Sequence, residues 1–214
     1  AIIEHNGKRI LFDPWLDEGI FHGSWFHFPP PVLGINDIGH VDYIYISHIH
    51  EDHCSAGTLR HINKDAEVLL MDRTPNLVEN YLEKNNLNFK KVHLIGPRRP
   101  LEIEPGLIID MVEPNPNDEM TRLIDSSIVM NWDGFSIYNA NDCQPYAEGI
   151  EYIINNSGSP NIIYNREKGN VVIEVAYKSD EGINENYEFE LNFFPMQRWV
   201  GLCIVVDDRI VKIF

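Results

Sequence analysis

The junction Tyr43-Ile44-Tyr45-Ile46-Ser47-His48-Ile49-His50-Glu51-Asp52-His53 limits most strongly how this chain can fold. An apolar, strand-forming run ends where imidazoles and a carboxylate begin. Strand side chains repeat every two residues, so His48 and His50 share one face. Asp52 and His53 follow in the turn. These four groups lie within six residues and form a ligand set for one or two divalent metals. A lone histidine reads as a satisfied core or surface side chain; a cluster of this density does not.

The flanking sequence predicts the elements that hold this junction. Ala1–His5 and Arg9–Asp13 flank Asn6-Gly7, a pair suited to a tight hairpin turn. Residues 14–31 form a long loop carrying Trp15, Phe21, His22, Trp25, Phe26, His27 and Phe28. Such a loop either packs on itself or walls a substrate pocket, with Trp25 and His27 as candidate substrate contacts. After strand 41–46, Ser55 caps a short helix over 56–63. Strand 66–71 follows, then a helix capped by Thr74 with Pro75 at its first position and ended by Asn85-Asn86, and strand 89–94. Strands are expected at 101–104, 106–112, 127–132 and 135–139, with Asp133-Gly134 as a second hairpin turn, then a helix over 147–154. The tail offers strands near 170–178, 186–194, 199–206 and 209–214. This order describes an α/β layered fold. The expectation is one domain over 1–214, with 170–214 as an optional β-rich appendage. The chain opens inside a strand without Met, which suggests a truncated N-terminus.

Composition narrows the partners. With 33 acidic against 17 basic residues and net charge −16, the chain lacks the clustered Lys and Arg of a phosphate-backbone groove, which argues against nucleic acid. Arg98-Arg99, between Pro97 and Pro100, reads as a solvated turn. No stretch approaches the roughly 20 apolar residues of a transmembrane span. Cys54, Cys143 and Cys203 form no close pair, which favours free thiols and a cytoplasmic setting.

Several of these segments together resemble the metallo-β-lactamase superfamily. The mark is the His-x-His-x-Asp-His run at His48–His53. The strand end Ile10–Leu16 with Asp13, the Asp125-Ser126-Ser127 segment and Asn141-Asp142-Cys143 are similar to further superfamily elements. The Asp-Pro-Trp-Leu loop and the Asn-Asp-Cys element look most like the branch holding L-ascorbate-6-phosphate lactonase, N-acyl-phosphatidylethanolamine phospholipase D and the lactamase-like domain of CMP-N-acetylneuraminate hydroxylase. The similarity covers roughly residues 1–146, on the same motif reasoning. It implies a four-layer αββα sandwich with metals at the sheet edge. It further implies that His48 and His50 hold one metal, Asp52 and His53 the other, and that Asp142 bridges them around a nucleophilic water or hydroxide. Asp52 would also move the proton. Asp13 would accept a ring N–H and fix a histidine tautomer.

The chain departs from the pattern where a third histidine is expected. Val112–Glu119 contains none, and the last histidine is His93. A carboxylate, Glu113 or Asp118, is left to serve, and Cys143 could assist Asp142. This oxygen-rich set tilts the cofactor from zinc toward manganese or iron, as one or two ions. The first functional expectation is a metal-dependent hydrolase of a small polar substrate such as a phosphoester, phosphodiester or lactone. The alternatives are the lactamase-like domain of a CMP-sialic-acid-hydroxylase-type oxidoreductase, although no Rieske cysteine–histidine pattern occurs within the chain, and a ligand-depleted binding module.

Overall fold

The computed structural model describes residues 1–31, 34–133, 135–143, 146–157, 161–165, 170–178, 184–191, 204–207 and 210–213. It divides into two compact units, Ala1–Asn161 and Ile162–Phe214.

In the first unit, β1 (Ile2–His5) and β2 (Lys8–Phe12) form the expected hairpin. Asn6 and Gly7 both take positive φ, 49° and 73°, which is the conformation a primed turn demands. Three parallel strands extend the sheet: β3 (Tyr43–Tyr45), β4 (Glu67–Met71) and β5 (Lys91–Ile95). The order is β1-β2-β3-β4-β5. Both faces are covered, so the strands read as near-continuous apolar runs. On one face Leu11, Ile44, Ile46, Val68 and Leu70 pack under α2 (Ala56–Leu59) and α3 (Leu77–Lys84), against Leu59, Val78 and Leu82.

The other face meets an antiparallel sheet, β6 (Leu101–Glu104), β7 (Leu107–Val112), β8 (Ser127–Trp132) and β9 (Phe135–Asn139), in that order. Between the sheets Ile10, Phe12, Tyr45, Leu69 and Met71 interdigitate with Leu107, Ile109, Met111, Ile128 and Met130. Each such buried side chain contributes about 1.5–3 kcal/mol of transfer free energy. The far face of the second sheet packs Val112 and Val129 on Ile153 of α4 (Ala147–Ser157). Helices, sheet, sheet and helix make the four-layer αββα sandwich.

Strand and helix ends shift by one to three residues elsewhere, and two helix boundaries differ from the sequence expectation for a local reason. The helix after Asp72 begins at Leu77, and Asn76 caps it by accepting from Glu79 N at 3.2 Å; an asparagine one residue before a helix caps better than a threonine two residues further out. The helix after Ser55 lasts a single turn, with Ser55 Oγ accepting from Thr58 N.

In the second unit, β10 (Asn161–Asn165), β11 (Asn170–Lys178) and β12 (Asn184–Leu191) form a three-stranded sheet, and β13 (Ile204–Asp207) pairs with β14 (Ile210–Ile213). Strand β10 carries no alternating pattern and was not expected. Residues 192–203 of the expected tail strands, Cys203 included, lie outside the described residues.

Candidate metal centre

Strand β3 carries its chain to the C-terminal edge of the first sheet, and the ligand-type residues leave it there. His48 is 1% exposed and His53 7%, whereas His50 is exposed. The turn after His48 closes with Cys54 N on His50 O at 2.7 Å and His53 N on the same oxygen at 3.0 Å. That turn folds His53 back over His48, with ring centroids 4.3 Å apart. His48 Nε2 and His50 Nδ1 approach to 2.7 Å.

Asp142 arrives from the second sheet, on the loop after β9. Its Oδ2 lies 3.7 Å from His48 Nε2 and 3.5 Å from His53 Nε2. Asp52 Oδ2 is also 3.5 Å from His53 Nε2. The residue before Asp142 sets its direction: Asn141 has φ 51° and donates from Nδ2 to Tyr45 OH at 3.0 Å and to Ser126 O at 3.1 Å. Tyr45 OH itself donates to Ser126 O at 2.9 Å. A buried knot of Tyr45, Ser126 and Asn141 thus ties the two sheets together directly beneath the histidines.

Asp13 follows β2 with φ 42°. Its Oδ1 accepts from Ser47 N at 2.7 Å, and its Oδ2 stands 3.2 Å from His53 Nδ1. Glu51 accepts from Phe21 N, and Phe21 presents its edge to His50 with centroids 6.5 Å apart. Asp17 accepts from Ser55 Oγ and from Thr58 Oγ1. The aromatic loop is therefore fastened to the ligand turn at several points.

The other residues singled out from sequence fall as follows. Trp25 is half-exposed and touches Phe21 edge-on at 5.0 Å, one ring removed from His50. His27 stacks on Trp15 at 4.0 Å and bonds Glu18 through Nδ1 at 3.0 Å. Glu113 is engaged by Arg98, whose Nη2 lies 2.9 Å from its Oε1 and also donates to Tyr146 OH at 2.6 Å. Asp118 caps its own turn, accepting from Thr121 Oγ1 at 2.9 Å. Cys143 is buried and reduced; burial, and after it the charge of Asp125, push its thiol above the ordinary range. Among the described residues, the ligand atoms that lie within 4.8 Å of one another are those of His48, His50 and Asp142. Phe21, Glu51 and Asp17 were not singled out individually in the sequence; an acidic residue inside the ligand turn was the available signal for Glu51.

The electrostatics fit a cation. Burial alone would lower His53, yet hydrogen bonds to Asp13, Asp142 and Asp52 outweigh it and raise its pKa to about 12. His53 holds Asp142 below the ordinary carboxylate range; it does the same for Asp52, against the opposing effect of burial. Asp52 Oδ1 and Asp125 Oδ2 are buried without a hydrogen-bond partner. Unpartnered buried oxygens cost free energy, and a divalent ion is the partner that satisfies several at once. The donors present, imidazole nitrogen and carboxylate oxygen, suit zinc, manganese or iron.

Residues 8–154 match the family model described as beta-lactamase superfamily domain. The chain belongs to the metallo-β-lactamase superfamily. Over 153 residues it is 34% identical to a Mycobacterium tuberculosis (strain H37Rv) protein named as a Rieske 2Fe–2S iron–sulfur protein, covering 67% of this chain and 28% of that one. It is 29% identical to the cytidine monophosphate-N-acetylneuraminic acid hydroxylase of Danio rerio, covering 64% and 23%. The chain thus spans about a quarter of these relatives. The isothiocyanate hydrolase from Delia radicum gut bacteria shares the fold, with TM-score 0.55 and 16% identity over 73% of this chain and 64% of that one. The superfamily fold implies divalent metals. Among the described residues, no helix is long and apolar enough to cross a membrane.

Proposed function

We propose that the chain is a metal-dependent hydrolase of a small polar or phosphorylated substrate: a phosphoester, phosphodiester or lactone. His48, His50 and Asp142 would hold one divalent ion, and Asp52, His53 and Asp142 a second. The observation that carries this reading is the convergence of His48, His50 and Asp142 beside His53 and Asp52. Bound zinc, manganese or iron would supply Lewis-acid polarisation of a substrate oxygen and a lowered pKa for water. Asp52, ionised beside His53 and with an unpartnered Oδ1, is placed to accept a proton and return it to a leaving group. Phe21 stands beside His50, and Trp25 lies on the far side of Phe21, where both rings could meet a substrate. The net charge of −16 favours small substrates over polyanions. The buried thiols of Cys54 and Cys143 suit a reducing, cytoplasmic setting.

The test is elemental analysis after loading with zinc, manganese or iron, joined to assays on a generic phosphodiester and a lactone. Activity that needs the metal and disappears in a folded His50→Ala variant supports the reading; unchanged turnover in that variant sinks it.

A second reading is favoured by the names of the relatives at 34% and 29% identity. In it, the same ligands hold redox-active iron and work with an iron–sulfur module located elsewhere. Dioxygen consumption by the iron-loaded, reduced protein, without hydrolysis, would select this reading. A third, a ligand-depleted binding module, would be selected by uptake below about a tenth of an ion per chain in excess metal.

A further inference from the structure

Asp125 belongs to a segment that resembles a superfamily element, but neither the resemblance nor the comparisons assign this buried carboxylate a task. It sits in the turn before β8 and is 1% exposed, as is His48. Its Oδ1 accepts from Ser126 N at 2.7 Å and stands 3.3 Å from His48 Nδ1. Its Oδ2 meets no nitrogen or hydroxyl donor, and the Cys143 thiol is its weakly donating neighbour. Arg73, the nearby cation, donates to the main-chain carbonyl of Asp125. A carboxylate this deeply buried needs donors.

The arrangement mirrors the other half of the centre. Asp13, at the end of β2 in the first sheet, faces His53 Nδ1 at 3.2 Å. Asp125, at the start of β8 in the second sheet, faces His48 Nδ1. In both rings the opposite nitrogen, Nε2, points at Asp142 Oδ2. Ser47 Oγ lies between them, 2.9 Å from His48 Nδ1 and 3.4 Å from His53 Nδ1. If His48 carried its proton on Nε2, a bare Nδ1 lone pair would face the buried Asp125 Oδ1 at 3.3 Å, and the Ser47 hydroxyl, 2.9 Å from Nδ1, would have to donate to it. With the proton on Nδ1, the carboxylate gains a charge-assisted contact and Nε2 is left as the electron-pair donor.

We propose that Asp125 is the positioning residue of His48: it holds the ring as the Nδ1–H tautomer and aims Nε2 into the centre, as Asp13 does for His53. The proposal rests on the metal-centre reading for its purpose, but the tautomer can be measured without any metal. The 2.7 Å approach of His48 Nε2 to His50 Nδ1 then requires His50 to carry the shared proton in the metal-free protein.

The test is long-range proton–nitrogen correlation NMR on the intact, metal-stripped, nitrogen-15-labelled chain, with His48 assigned by comparison with His48→Gln. The expected result is Nδ1–H on His48 in the unsubstituted chain. In Asp125→Asn, whose amide can donate to Nδ1, the proton moves to Nε2. Metal affinity, read by competition with a chromophoric chelator, falls about 10–100-fold. Asp13→Asn leaves the His48 tautomer unchanged and alters that of His53. An Nε2–H tautomer in the unsubstituted chain overturns the proposal without any variant, as does a folded Asp125→Asn with unaltered tautomer and affinity. Nδ1–H on His48 in a chain that takes up no zinc or manganese refutes the metal-centre reading and supports the tautomer assignment.

Discussion

The two ends of the first sheet carry similar residue types and settle their charge in opposite ways. Toward the N-terminal ends of the strands, each carboxylate meets a cation. Lys90 Nζ lies 2.6 Å from Glu67, His93 Nε2 2.6 Å from the same carboxylate, and Lys8 Nζ 3.0 Å from Asp42 and 3.8 Å from Glu104. At the C-terminal ends, Asp13, Asp52, Asp125 and Asp142 face histidines, and Asp52 and Asp125 each keep a buried oxygen unpartnered. His93 and His53 are both buried imidazoles beside carboxylate, yet His93 answers Glu67 and His53 answers three aspartates. The surplus of negative charge, rather than the presence of histidine, separates a ligand centre from a structural pair. It lies where open α/β sheets bind ligands, at the carboxyl ends of the strands.

The contrast breaks most sharply by substitution. Asp142→Ala, which removes the carboxylate shared by both proposed sites, should lower metal affinity by at least about 100-fold, read by chelator competition. Glu67→Gln at the opposite end should leave it unchanged. The next largest effect is on stability beneath the centre. Tyr45→Phe deletes the hydroxyl that Asn141 and Ser126 share and should cost about 1–3 kcal/mol in urea unfolding, with weakened metal binding as Asp142 loses its anchor.

The pH responses of the two ends should run in opposite directions. Lys90 first, and His93 next, hold Glu67 below its ordinary value. A depressed carboxylate stabilises the fold above its unfolded value, and that contribution is lost as pH falls through the folded one. Acid unfolding should therefore soften in Glu67→Gln. His53 is raised instead, to about 12. Its contribution to the metal-free fold is complete below the unfolded value of 6.5 and is lost as pH rises toward 12. Thermal melts of chelated protein should drift downward from about pH 6.5, while metal affinity rises over the same range because ligands must be deprotonated. The smallest effect is expected from Lys90→Ala, whose exposed pair is worth about 0–1 kcal/mol.

Much of this end was legible in the sequence because strand period and turn chemistry are local. The run at His48–His53, the Asn6-Gly7 turn and Asp142 after the β8–β9 hairpin could all be placed from spacing and resemblance. The engagement of Glu113 by Arg98 could not, because it joins a turn after β5 to the end of β7, and Arg98 read as solvated. The pairing of Asp125 with His48 joins residues 77 positions apart (125 − 48) across two sheets. Periodicity carries no information about such a contact. The cap at Asn76 was masked by the stronger Thr-Pro signal next to it.

Asp17 and Gly57 add a constraint of a different kind. The Asp17 carboxylate lies so close over Gly57 that a β-carbon there would collide with it, while its Oδ1 accepts from both Ser55 Oγ and Thr58 Oγ1. The aromatic loop and the helix start that follows the histidine turn are thus pinned to each other. A side chain at residue 57 would require Asp17 to shift. Substitution is freer at Trp25, Phe26 and Phe28, where the rings are exposed and a change leaves the Asp17 contacts untouched.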